Sequence, residues 1–149
     1  MCNALNELPR LNQSVQSFLQ QHEAPPPAVF AANLALEEMI TNIIKYGYDD
    51  SLSHDIRITL TREPGRLTVR IEDDGHEFNP LSQPPPDTSP QIEKRKIGGL
   101  GIHLVRRTVD AMWYRRREGR NLLEMIIRLP SDTEPAAPST SNAGSCPGT

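Results

Sequence analysis

Three short stretches of this 149-residue chain carry side chains that could act together in chemistry. In LALEEMITNIIKYGYD (34–49), Glu38 and Asn42 stand four residues apart. On a helix that spacing stacks them one above the other, with Lys45 close by. A carboxylate and an amide one turn apart could hold a water or a hydroxyl beside a metal-bound phosphate. The same pair also fits a plain solvated face. In RLTVRIEDDG (66–75), Asp73 continues the apolar series Leu67, Val69, Ile71. The two-residue period of a strand therefore turns its carboxylate to the buried side. A buried carboxylate needs hydrogen-bond donors, and at a strand end it is a good acceptor for an exocyclic amine. The third stretch, Gly98-Gly99-Leu100-Gly101, runs straight into IHLVRRTVDAM. Glycines there let backbone amides approach an anion, and the helix dipole favours negative charge. Taken singly each signal is weak, because Gly-x-Gly also serves turns and a strand-end Asp is usually a turn residue.

The elements that must position these residues can be read from periodicity. Leu11, Val15, Phe18 and Leu19 predict a first amphipathic helix over about 10–22. Pro25-Pro26-Pro27 ends it and can open the next helix. Leu36, Met39, Ile40, Ile43 and Ile44 line one side of that long helix, which runs to about Tyr46 with Gly47 as its stop. Alternation predicts strands over 55–61 and 66–73, joined by a tight turn through Pro64-Gly65. Residues 81–97 have no periodicity and four prolines, which predicts a lid or a disordered loop. A helix follows, with Ile102, Val105, Val109 and Met112 at helical spacing, then two strands over 112–117 and 121–129. Phe78, Trp113 and Tyr114 are expected to pack, and Arg115-Arg116-Arg117 to be the solvated end of a strand. Helices and hairpins are segregated rather than alternating. The expected fold is α+β, a two-layer sandwich of an antiparallel or mixed sheet with helices on one face. The domain is expected over 1–130, with 131–149, rich in Pro, Ser, Thr, Ala and Gly, a disordered tail.

Composition narrows the function classes. A net charge of −3 argues against a nucleic-acid surface. Cys2 and Cys146 lie at opposite ends of the chain, which is neither a disulfide framework nor a metal-ligand spacing. That usage fits a reducing compartment. No apolar run is long enough to span a bilayer and no signal pattern opens the chain, so the expectation is a cytoplasmic protein away from the membrane.

Taken together and in order, EEMITNIIKYGY, IEDDGHEFNP, GGLGIHLVRRTVD and EGRNLLEMII resemble the Bergerat-fold ATPases, also called histidine-kinase-like or GHKL ATPases. Within that superfamily the chain is most similar to stand-alone anti-sigma-factor serine kinases of the RsbW/SpoIIAB type. The resemblance covers about residues 30–128. It implies that ATP and Mg²⁺ are bound. It further implies Glu38 as general base, Asn42 as magnesium ligand, Asp73 as adenine-binding carboxylate and Gly75 as the residue giving the base room. Gly99 and Gly101, with Gly98 and Leu100 beside them, would contact phosphates, and 81–97 would be the lid. The implied reaction is phosphoryl transfer from ATP to a serine of a partner, an anti-sigma-factor antagonist of the STAS type. A sigma factor is the other implied partner, and relatives form homodimers. Two departures stand out. No second glycine follows Asp73-Asp74-Gly75 closely, and only residues 1–9 could supply the strand that usually precedes the first helix.

Two other functions compete. One is a nucleotide-gated module that grips a sigma factor or antagonist without chemistry. The other is a histidine-kinase catalytic domain acting in trans, for which His22-Glu23-Ala24-Pro25 would be the phospho-acceptor site, although the prolines interrupt any helix there. His54, His76 and His103 lack ligand spacing to one another. Lys94, Arg95 and Lys96 could reach a phosphate from the lid or be simply solvated.

Overall fold

The computed structural model describes residues 1–84 and 99–130. Most of the proposed lid, Gly98 and the 131–149 tail lie outside the described residues.

Among the described residues, three α-helices pack on one face of a four-stranded antiparallel sheet. Helix α1 spans Leu8–Gln21, α2 Pro26–Tyr46 and α3 Gly99–Thr108. Strands β1 (Arg57–Glu63), β2 (Arg66–Asp73), β3 (Ala111–Arg117) and β4 (Arg120–Arg128) form two hairpins. The sheet order is β1-β2-β4-β3, so the second strand of each hairpin meets the other in the centre. This is the α+β sandwich expected from the segregated pattern.

The two central strands alternate buried and half-exposed positions along most of their lengths. Their registers pair Leu67 with Ile127, Val69 with Met125 and Ile71 with Leu123, all buried. These side chains form the floor of the core. Helix α2 covers it with Ala31, Ala32, Ala35, Leu36, Met39 and Ile40, while Val15 and Leu19 of α1 and Ile102 and Val105 of α3 close the flanks. The run of buried alanines lets the α2 backbone come close to its neighbours. Truncating a fully buried side chain such as Leu36 to Ala would cost about 2–5 kcal/mol.

Some expectations shift. Strand β1 starts two residues later than the alternation suggested, although Ile56 just before it is fully buried. The strand sought in residues 1–9 is reduced to a single bridge between Cys2 and Asp55. Around it Asn3 N–H donates to His54 O and Ile56 N–H donates to Met1 O. Trp113 (55% exposed) and Phe78 (40% exposed) do not pack as expected. Trp113 pairs with Glu124 on the sheet face away from the helices, where none of the described residues forms a second layer. Tyr114 points the other way and does join the core edge.

Candidate functional site

The central register continues one step past the apolar pairs and sets Asp73 opposite Asn121. Both therefore face the helices at the end of the sheet, and both are buried, Asp73 at 4% exposure and Asn121 at 6%. Their polar atoms are matched to each other. Asp73 Oδ1 accepts from Asn121 Nδ2 (2.8 Å) and from Gly75 N (2.9 Å). Asn121 Nδ2 also donates to His76 O at 2.8 Å. Asn121 Oδ1 accepts from Tyr114 Oη (2.8 Å) and from an Arg116 guanidinium nitrogen (2.7 Å). The same guanidinium donates to Gly75 O at 3.0 Å. Among the described residues every one of these bonds to Asp73 goes to Oδ1, which leaves Oδ2 as an acceptor. Burial pushes the Asp73 carboxyl above its ordinary range, while the Asn121 and Gly75 donors pull it back.

Arg115, Arg116 and Arg117 are exposed, as expected of a solvated strand end, but the Arg116 guanidinium is also hydrogen-bonded to the site. Arg116 shares the β3 face of Met112 and Tyr114, opposite Met125, Leu123 and Asn121. Neither Asn121 nor Arg116 was singled out from the sequence.

The turn after β2 rests on the C-terminal end of α2. His76 N–H donates to Gly47 O at 2.8 Å. A Cβ on Gly75 would lie 2.6 Å from the Gly47 carbonyl oxygen and 2.9 Å from Asp73 Oδ1, so only glycine allows this approach. Asn42 stands five residues back along α2 and Glu38 a further four, a span of about 14 Å from Gly47 by helix rise. Both are half-buried, and among the described residues neither makes a side-chain hydrogen bond.

At the far end Glu38 meets the start of α3. A Cβ on Gly101 would fall 1.7 Å from Glu38 Oε2 and 2.3 Å from its carboxyl carbon. The missing side chain is the space that the carboxylate occupies. The structure thus brings together Glu38 with Gly101, and Asp73 with Gly75, at two places along one helix. Gly99 opens α3, while Leu100 is exposed on its first turn. An open cleft of about 380 Å³ flanks the Gly75 turn on the side of residues 47–54. Neither Glu38, Asn42 nor Gly101 lines it.

The geometry also bears on the histidine-kinase alternative. Helix α1 ends at Gln21, directly before His22, and α2 starts at Pro26, so no continuous helix carries His22.

Comparison with known proteins follows the same lines. The sequence model of the histidine kinase-like ATPase domain matches residues 2–127. The chain is 26% identical over 96 residues to the serine/threonine-protein kinase BtrW of Bordetella bronchiseptica, covering 64% of this chain and 68% of that protein. It is 28% identical over 87 residues to the serine-protein kinase RsbW of Listeria monocytogenes, covering 56% and 55%. The chain thus spans just over half the length of the Listeria relative. Among solved structures, a histidine kinase domain from a blue-light activated kinase of Erythrobacter litoralis aligns at a TM-score of 0.49 and 17% identity, over 69% of this chain and 45% of that one. With a match running from the N-terminal bridge through β4, this chain belongs to the histidine kinase-like ATPase domain family.

Proposed function

We propose that the protein binds ATP and transfers its γ-phosphoryl group to a serine of a partner protein. The observation that carries this reading is the arrangement on α2. One end of the helix packs on a buried carboxylate with a spare acceptor atom, and nine residues earlier it seats a second carboxylate on a glycine at a helix start. The first end suits a base with an exocyclic amine, which Asp73 Oδ2 would accept. The second suits phosphate, for which the α3 N-terminus with Gly99, Leu100 and Gly101 supplies amides and dipole.

The donor set also fits magnesium. Among the described residues no three His, Cys, Asp or Glu side chains gather as a metal centre. Magnesium commonly keeps several waters and takes few protein ligands, with substrate phosphates supplying others, and the Asn42 amide oxygen would be its ligand here. Bound there, the ion would neutralise phosphate charge. Glu38 would accept the proton of the attacking serine hydroxyl, and the glycine amides would stabilise the charge on the transferred group. Catalysis of this kind is mainly positioning and electrostatics.

The names of the two kinase relatives support serine as acceptor. By the resemblance noted above, the partner would be a STAS-type anti-sigma-factor antagonist, with a sigma factor as the sequestered target and a homodimer as the working form. The decisive experiment incubates the protein with γ-labelled ATP, Mg²⁺ and a candidate antagonist, alongside Glu38→Ala. Label on a partner serine with wild type only is expected. Nucleotide-dependent partner binding with no label would replace the kinase by the gated binding module.

A further inference from the structure

Two segments line the cleft beside the Gly75 turn: one within residues 47–54 after α2, and the turn 74–77 after β2. Two crossed histidine–carboxylate pairs fasten them. His54 of the first segment reaches Asp74 of the second, Nδ1 to Oδ1 at 3.3 Å. His76 of the second reaches Asp49 of the first, Nε2 to Oδ2 at 2.9 Å.

His54 has no freedom to leave. Its backbone N–H donates to Asn3 Oδ1 and its carbonyl accepts from Asn3 N–H. Its ring stacks on Tyr48 at 4.2 Å between centroids. Its other ring nitrogen, Nε2, faces Asp50 Oδ1 at 3.0 Å. Ionised carboxylates only accept, so both bonds exist together only when both ring nitrogens carry protons. A neutral imidazole must turn a lone pair toward either Asp50 or Asp74.

We propose that His54, as an imidazolium bridging Asp50 and Asp74, is a positioning residue that holds the Asp73–Gly75 turn in register for nucleotide recognition. Its deprotonation leaves one N–H for two carboxylates, and the longer contact, to Asp74 at 3.3 Å against 3.0 Å to Asp50, is the one given up, which loosens the turn. The charged and titratable groups around it are Asp50 and Asp74 at the ring nitrogens, the Tyr48 phenol on its face, the adjacent His76–Asp49 pair, Arg116 on Gly75 O, and the N-terminal amine on Ile56 O. Asp50 in particular raises the His54 pKa from its ordinary 6.5. A raised folded value means the clasp is complete below about 6.5 and is lost as pH climbs through the higher folded value.

The link to nucleotide affinity rests on the proposed ATP site, whereas the order of the turn does not. The test therefore reads both, on the full chain. Amide exchange of Gly75 and His76 is measured without nucleotide from about pH 5.5 to 8.5 and normalised to the core amide of Val69, which cancels the chemistry of exchange. A nonhydrolysable ATP analogue is titrated over the same range. In wild type the relative protection of Gly75 and His76 should fall up to about fivefold with rising pH. In His54→Gln it should be low and flat. The ratio of wild-type to His54→Gln affinity should decline from about five toward one, with the titration of the nucleotide cancelling in the ratio. Asp50→Asn, at an exposed position, should keep the fold and lose protection at lower pH.

A flat wild-type profile overturns the proposal, as does a pH dependence that survives in His54→Gln, which would place it on His76. Analogue binding with flat protection sinks the clasp and spares the ATP site. No binding with pH-dependent protection does the reverse.

Discussion

The two ends of the candidate site are held by different means. At the strand end, Asp73, Asn121, Tyr114, Arg116 and Gly75 form a closed set in which nearly every donor finds an acceptor. Position there comes from the β2–β4 register, and the chemistry is already in place in the protein alone. At the helix end, Glu38 and Asn42 project from one face of α2 with no side-chain hydrogen bond among the described residues. Position there comes from helix spacing and from a missing side chain at Gly101. A saturated polar set suits recognition of a rigid group, and unsaturated polar atoms suit a ligand that brings its own charge and ions. The comparison implies that substitutions at the helix end should change rate with little effect on binding or stability, and those at the strand end the opposite.

The largest expected effect tests that division at its functional pole. Glu38→Ala should lower phosphoryl transfer by about 10²- to 10⁴-fold, the usual range for removing a general base. Affinity for an ATP analogue, read by calorimetry, should stay within a few-fold of wild type. Transfer at the wild-type rate would remove Glu38 from the chemistry and leave the helix end with no role.

Gly101→Ala comes next. Alanine is favoured over glycine in a helix by about 1 kcal/mol, and the clash is with the far end of a flexible side chain. The fold should therefore survive with thermal stability little changed. The carboxylate, however, must move, and a misplacement near 1 Å can cost about 10²-fold in rate. In a Glu38→Ala background the same substitution should add almost nothing, because the displaced group is already gone. Additive losses would show that Gly101 acts independently of Glu38.

At the strand end, Asp73→Asn should weaken ATP-analogue binding by about 10- to 100-fold, as expected when a charged acceptor gives way to a group that can present only a donor to the amine. Stability should move the other way. Burial holds the Asp73 carboxyl above its ordinary range, so the charged form is disfavoured in the fold at neutral pH. Asparagine avoids that cost and can still accept from Gly75 and Asn121. The variant should be at least as stable as wild type at neutral pH, and the gap should close as acid protonates Asp73. A Tm that drops at neutral pH would mean the ionised carboxylate is structural.

The same division explains what was legible in the sequence. Glu38, Asn42 and Asp73 follow from local periods, 3.6 for α2 and 2 for β2, and no tertiary information is needed to place them on a face. Asn121 continues the alternating series Leu123, Met125, Ile127, so its facing was open to the same reasoning as that of Asp73. It is the second residue of β4, ahead of the apolar ones, and its importance appears only when β4 is aligned against β2, some 48 residues away. All three consecutive arginines are exposed as the run suggests, and what the run hid is that alternation turns only the middle one toward Asn121 and Gly75. Trp113 misled in the opposite direction, because an aromatic on an alternating strand was taken for core on a sheet that is covered on one side only. Gly75 was assigned a need for space, and the backbone it makes room for, the end of α2, required the fold.

Asn121→Ala has the smallest expected effect on function and is the sharpest test of whether the strand end is a unit. Removing the amide takes a bond from the Tyr114 hydroxyl, from the His76 carbonyl and from the Arg116 guanidinium, which keeps Gly75 O. Stability should fall by about 1–2 kcal/mol, read by denaturant titration, because several part-buried hydrogen bonds are lost at once. Affinity for the analogue should fall less than about tenfold, since Gly75 N still holds Asp73 Oδ1 in place. Asn121→Asp separates the two functions of the side chain. A carboxylate still accepts from Tyr114 and Arg116, but it offers no donor to Asp73 and sets a second negative charge beside it. If the strand end is one unit, this variant should bind nucleotide more weakly than Asn121→Ala despite keeping two of the original bonds. If it binds as well as wild type, Asp73 is held by Gly75 alone, and the polar set around Asn121 belongs to the fold rather than to the site.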